Sequence, residues 1–279
     1  MNMINRSLLI SALVTFLVGC KTTDNSSHSL NDVSQKDLLS SSRNMTALHE
    51  QEIKLTPDFA GRYPNCWGTS LFTTDTLPSL HNVQAKEFAA WLASPLYKTI
   101  EEWDEVLPGD IVALARRTSD SDFLEEVHAA VVVDKSKEMK EAMVYTKNGA
   151  FLAAEISSMQ EMLDTYSQSS DKSKTIITFH RPMDALDGYL AKHSNEVVSD
   201  YLEMIRGIHA ESLIMLSGDP EAPLKPEEQR EIANLKQKTT ALQKKIVAYF
   251  DEHGDGGDPL LAAVAHGVRA DSSFKGRRK

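Results

Sequence analysis

The sequence predicts an α+β fold: a leading helix, an antiparallel sheet, then a C-terminal helical hairpin. Three observations predict it. Between 57 and 182, helical periodicity comes first and short strand-like runs follow at hairpin spacing. A turn signal, Leu107-Pro108-Gly109-Asp110, stands directly before an apolar run at 111–115. From about 184 the apolar period becomes that of helices.

The elements follow in order. Asn65 is a suitable N-cap, so a short helix is expected from Cys66 to about Phe72. Residues 82–93 put Val83, Phe88, Trp91 and Leu92 near one helical stripe. The runs at 127–133 (VHAAVVV), 142–146 (AMVYT) and 150–156 read as strands. Residues 157–166 read as a helix capped by Ser157, and 175–180 (TIITFH) as a last strand before Pro182. This order suggests an antiparallel sheet with helices on one side.

Further on, Val198, Tyr201, Leu202, Ile205, Ile208 and Leu216 mark a long amphipathic helix, broken by a polar stretch at 218–223. A second helix begins near Pro226, with Ile232, Leu235, Thr239, Leu242, Ile246 and Tyr249 at spacings of three and four. So short a run favours an antiparallel hairpin at 187–252 over a long coiled coil. The hairpin reads as a structural appendage or, alternatively, as a docking surface for a protein partner. Residues 251–258 resemble a calcium loop, but His253 and Ala262 occupy the third and twelfth positions, so the stretch reads as a Gly-rich turn. The basic end, 275–279, reads as an unstructured terminus.

Composition bounds the function. The 279 residues are 41% hydrophobic and 25% charged, which excludes a collagen-like, wholly disordered or polytopic membrane chain. A formal net charge of −10 argues against coating nucleic acid with a broad basic surface. Cys20 and Cys66 are the only cysteines, so there is no disulfide framework. No two histidines lie four residues apart, and no metal-ligand set or cofactor motif is read from the chain.

Arg6 and the eleven-residue apolar run at 8–18 fit the start of a secretory signal. That run is short of the roughly 20 residues a membrane span needs. It ends in Leu17-Val18-Gly19-Cys20, which resembles the lipobox of bacterial lipoproteins. The resemblance implies removal of 1–19 and acylation of Cys20, with palmitate-like chains holding the protein on a lipid membrane. Lys21, in place of an aspartate, then favours the periplasmic face of the outer membrane in a Gram-negative envelope. Residues 21–44 are dominated by Ser, Thr, Asn and Asp, and no aromatic falls between Phe16 and Phe59. Such a stretch buries too little surface to offset its ordering entropy, so 20–56 reads as a tether.

The chemistry centres on Cys66, in Tyr63-Pro64-Asn65-Cys66-Trp67-Gly68. A thiol at a helix N-terminus feels the positive end of the backbone dipole, which lowers its pKa. The same N-terminus offers N–H groups to a developing oxyanion. The alternative is a buried cysteine acting as a small hydrophobe. His128 opens a strand-like run and is a candidate general base for the thiol.

Taken together, Asn65-Cys66-Trp67-Gly68, Pro108-Gly109-Asp110 and His128-Ala129-Ala130-Val131 resemble, in that order, the motifs of NlpC-type peptidases. These are papain-like cysteine hydrolases of bacterial cell walls. The resemblance covers about 57–182. It implies a papain-like domain, Cys66 as nucleophile, His128 as base and then acid, and peptidoglycan stem peptides as substrate. Trp67 stands where the family has a small serine, and Asn65 where it has aspartate. The third residue, which orients the histidine, is expected on the next strand. Asn148 is the first candidate; Lys147, which cannot accept a hydrogen bond while charged, and His180 are weaker ones.

The expected organisation is therefore a lipoprotein signal at 1–19, a lipidated tether at 20–56, a cysteine-hydrolase domain at 57–183 and a helical region at 184–279. The expected function is a lipid-anchored thiol hydrolase cleaving amide bonds in the cell envelope. Acyltransferase or thioesterase chemistry on the same fold is an alternative. So is a catalytically inactive binding or scaffold lipoprotein whose hairpin docks a partner.

Overall fold

The computed structural model describes residues 64–118, 124–148, 154–167, 173–217 and 223–275. The signal-like segment, Cys20, the tether and residues 276–279 lie outside the described residues. In chain order the elements are α1 (Cys66–Thr73), α2 (Ala85–Ala93), β1 (Tyr97–Ile100), β2 (Ile111–Thr118), β3 (Leu124–Asp134), β4 (Met143–Lys147), β5 (Ala154–Ser158) and α3 (Met159–Tyr166). There follow β6 (Ser173–Pro182), α4 (Leu186–Lys192), α5 (Glu196–Ser217), α6 (Pro226–His253) and α7 (Pro259–Lys275).

The class is α+β. Six strands form one sheet in the order β1-β6-β2-β3-β4-β5, every neighbouring pair antiparallel. Helices cover both faces rather than one. The reason is in β2 and β3, where residues 111–115 and 128–132 are buried without alternation. Strands apolar on both faces need a cover on each. Ile111, Ala113, Ala129 and Val131 face α1, α2 and the C-terminal helices. Val112, Leu114, Ala130 and Val132 face Met159, Met162 and Leu163 of α3.

The Pro-Gly-Asp turn is a structural joint. Gly109 has φ +97°, which glycine alone adopts cheaply, and its N–H donates to Val132 O at 2.8 Å. Asp110 Oδ2 accepts from Leu107 N–H at 2.8 Å, closing the turn. Arg181 of β6 grips the same carboxylate with Nε and Nη2, at 3.0 and 2.8 Å. The turn thereby fixes where β2 begins against both β3 and β6.

Boundaries shift for identifiable reasons. Helix α3 is capped by Ser158, not Ser157, because Glu161 completes a reciprocal capping box from that position. Gln84 and Glu87 do the same for α2, which leaves 82–84 extended. The short strand β1, with its exposed centre, and the helices α4 and α7 are not foreseen from the sequence.

Helices α5 and α6 form the antiparallel hairpin, tied by Lys238–Glu203 at 2.5 Å and by Lys245 bridging Glu196 and Asp200 at 2.7 Å each. The chain then returns as α7, which packs on α2. One apolar cluster runs from Leu71 and Phe88 through Tyr201 and Ile246 to Val264, so residues on both sides of 183/184 share a core. At its centre Glu87 is 1% exposed. Its Oε1 accepts from Tyr201 OH at 2.5 Å and from Trp91 Nε1 at 3.3 Å. No helix among the described residues is long and apolar enough to cross a membrane.

Gly267 lets α7 approach this carboxylate. A Cβ there would strike Tyr201 OH and come within 2.8 Å of Glu87 Oε1. Replacing a helical glycine by alanine ordinarily stabilises by about 1 kcal/mol. Here the clash falls on a locked, buried hydrogen bond, and overpacking costs about 1–3 kcal/mol. Gly267→Ala is therefore expected to lower the Tm in thermal unfolding; an unchanged or raised Tm would contradict the tight docking of α7.

Candidate functional site

Cys66 is the first residue of α1, which packs on β3 and β4. Asn65 caps the helix: its Oδ1 accepts from Gly68 N–H at 3.0 Å. Its Nδ2 donates to Val83 O at 2.6 Å. An aspartate would supply the first bond but not the second, so the amide both caps the helix and clamps it to the following loop. Gly68 serves the same contact, because a Cβ would collide with the carbonyl oxygen of His81. Trp67 turns away to stack on Phe88, with centroids 6.2 Å apart.

The thiol is buried. Loss of hydration pushes it up to about 11. The backbone N–H groups of Ala129, Trp67 and Cys66 itself work against that shift, and so does the charge of Lys147. Three amides thus converge on the sulfur, as the helix N-terminus promises, but burial outweighs them. The lowered thiol pKa expected of this position is not realised in the resting protein.

His128 lies opposite Leu114 of β2, so it shares the sheet face of Leu114 and Ala130. The ring is 1% exposed, and burial pushes it down to about 4. Nε2 lies 2.6 Å from Thr146 Oγ1. The Tyr166 ring lies flat on the imidazole, with centroids 3.7 Å apart and planes 8° apart. Among the described residues no hydrogen bond joins the thiol to the imidazole; the Ala129 amide holds one and Thr146 the other.

The candidates for the third position separate clearly. Asn148 does not meet His128. It accepts from Tyr166 OH at 3.2 Å and donates to Glu155 Oε1 at 2.7 Å. It lies one residue past the end of β4. Thr146 contacts the ring instead, because it faces the same side as Val144 and pairs with Ala130. Lys147, buried at the end of β4, acts on the thiol instead. His180 pairs with Ile111 on β2, three positions from Leu114, and its Nε2 contacts Thr178 Oγ1 at 2.9 Å.

Thr146 and Tyr166 are the residues that sequence reasoning missed. Tyr166 had a signal, the apolar stripe Met159, Met162 and Leu163 that it continues; Thr146 had only its strand alternation with Val144, which does not single it out.

At rest the thiol and the imidazole are both neutral at pH 7. Cys66 alkylation by iodoacetamide is expected to be slow at pH 7 and to rise about tenfold per pH unit to about pH 11, since only the thiolate reacts. A plateau already reached below pH 8 would contradict this. Asn65→Asp would set a carboxylate oxygen against the Val83 carbonyl and is expected to cost about 1–3 kcal/mol in denaturant unfolding. Comparison of the chain with protein-family models, with curated proteins and with solved structures finds no match, so the chemistry of this site is argued from its own geometry.

Proposed function

We propose that the chain is a lipid-anchored cell-envelope thiol hydrolase of the NlpC type that cleaves amide bonds, with peptidoglycan stem peptides as the substrate class. The single observation that carries the reading is the convergence of three backbone N–H groups on the sulfur of a capped helix N-terminus. In this role the Cys66 sulfur attacks the amide carbonyl while His128 removes its proton. The amides at the start of α1 then stabilise the oxyanion. His128 returns the proton to the leaving amine, and water attacks the acyl-enzyme.

The resting values decide how the proton moves. With the thiol at about 11 and the imidazole at about 4, a preformed ion pair lies uphill by on the order of 10 kcal/mol before the attraction of the two charges. Deprotonation is therefore coupled to attack on the carbonyl, as general-base catalysis, rather than completed beforehand. Thr146, which contacts the ring on the strand after His128, is the orienting residue in place of Asn148.

One observation favours a second reading. Both Cys66 and His128 are buried, and each is satisfied by a separate partner. That suits a binding lipoprotein in which the α5–α6 hairpin docks an envelope protein. Acyltransferase or thioesterase activity differs from the first reading only in the acyl acceptor or donor.

The test is turnover of synthetic stem peptides, with mass spectrometry for an acyl adduct on Cys66. Cys66→Ala is expected to lose about 10³-fold or more in kcat with an unchanged circular dichroism spectrum. Full turnover in that variant would overturn the hydrolase. Partner capture unaffected by Cys66→Ala but lost on Lys244→Glu, at an exposed position of α6, would favour the binding reading.

A further inference from the structure

The imidazole of His128 is held from two directions. Thr146 Oγ1 meets Nε2 at 2.6 Å. A single hydrogen bond fixes one ring atom and leaves the ring plane free to tilt about it. The flat stack on Tyr166, at 3.7 Å and 8°, removes that freedom. Tyr166 is itself anchored: it packs on the α3-side core, and its hydroxyl donates to Asn148, which is tied in turn to Glu155. An aliphatic side chain would fill the same space. Only an aromatic offers a flat face, and such a face attracts a ring that becomes positively charged.

We propose that Tyr166 is a positioning residue for His128, which locks the ring plane with Nε2 toward Thr146 and stabilises the imidazolium once the ring takes the Cys66 proton. The role in catalysis rests on the hydrolase reading above; the effect on the ring does not. In the step, the S–H bond of Cys66 breaks and an N–H bond forms at His128 Nδ1. The sulfur electron pair goes to the carbonyl carbon of the substrate. The tautomer this requires has its proton on Nε2, donating to Thr146 Oγ1, with the lone pair on Nδ1. Side chains on the ring's face include Leu114 of β2, Ala130 of β3, Thr146 of β4 and Tyr166 of α3. Of these only Tyr166 titrates, and burial, then the charges of Cys66 and Glu155, hold its phenol above the ordinary range.

The test compares Tyr166→Phe, Tyr166→Trp and Tyr166→Leu in the full chain. Two readouts are taken: ¹⁵N NMR of the His128 ring at pH 7, and acylation of Cys66 by p-nitrophenyl acetate. The Phe and Trp variants are expected to keep the single Nε2-protonated signature and to acylate within about threefold of the parent. The Leu variant is expected to show a tautomer mixture and to acylate about tenfold more slowly, the worth of a partly desolvated cation–π contact. An unchanged ring signature and rate in the Leu variant would overturn the inference. So would an equal loss in the Phe variant, which keeps the ring face and would survive even if the Leu variant failed to fold. If Cys66 of the parent is not acylated at all, the hydrolase reading falls, and the ¹⁵N signature alone still decides the role of Tyr166.

Discussion

Two central strands that are apolar on both faces dictate the architecture around them. Residues 111–115 of β2 and 128–132 of β3 admit no solvated side. The chain meets this demand asymmetrically. One short helix, α3, covers one face, while α1, α2 and the C-terminal helices cover the other. Placing α1 on β3 brings the Cys66 sulfur to the Ala129 amide. Placing α3 on the opposite face brings Tyr166 onto His128. Both halves of the candidate site are therefore consequences of covering the same strand pair.

The same burial sets the electrostatics. A helix N-terminus is worth about 0.3–1 kcal/mol to a nearby anion at an exposed position and up to about 2 when partly buried. Desolvating a thiolate costs more, and Cys66 rises rather than falls. His128 is shifted the other way by the same cause. Burial alone thus moves the two groups in opposite directions, and both are neutral at pH 7.

Legibility in the sequence follows the strength of each local signal. Helices α1, α5 and α6 and strands β2, β3 and β4 are readable because capping, turn chemistry and apolar runs agree there. The strand β1 hides because its centre is exposed and its partner, β6, lies some eighty residues away in sequence, for example Thr99 opposite His180. Helix α7 hides behind a Gly-rich turn and a run of small residues whose burial is set by α2. Cys66 and His128 are recognisable by residue type and order. Thr146 is not, since a threonine in a strand is ordinary and its hydroxyl becomes informative only once β3 and β4 are in register.

The C-terminal helices have a claim on the site that sequence alone does not suggest. Glu87 sits on α2, Tyr201 on α5, and the backbone at Gly267 of α7 closes over both. The His81 ring lies 3.9 Å from the same carboxylate oxygen, and the His81 carbonyl lies directly over Gly68 of α1. Two residues on, Val83 is gripped by the Asn65 amide that caps the Cys66 helix. The loop at 79–83 thus lies between the buried carboxylate that α7 covers and the helix that presents the thiol. Close-packed protein interiors transmit displacement rather than absorb it. The seat of α7 and the aim of the Cys66 helix are for that reason parts of one mechanical unit, and the helices after residue 184 belong to the architecture that positions the Cys66 thiol.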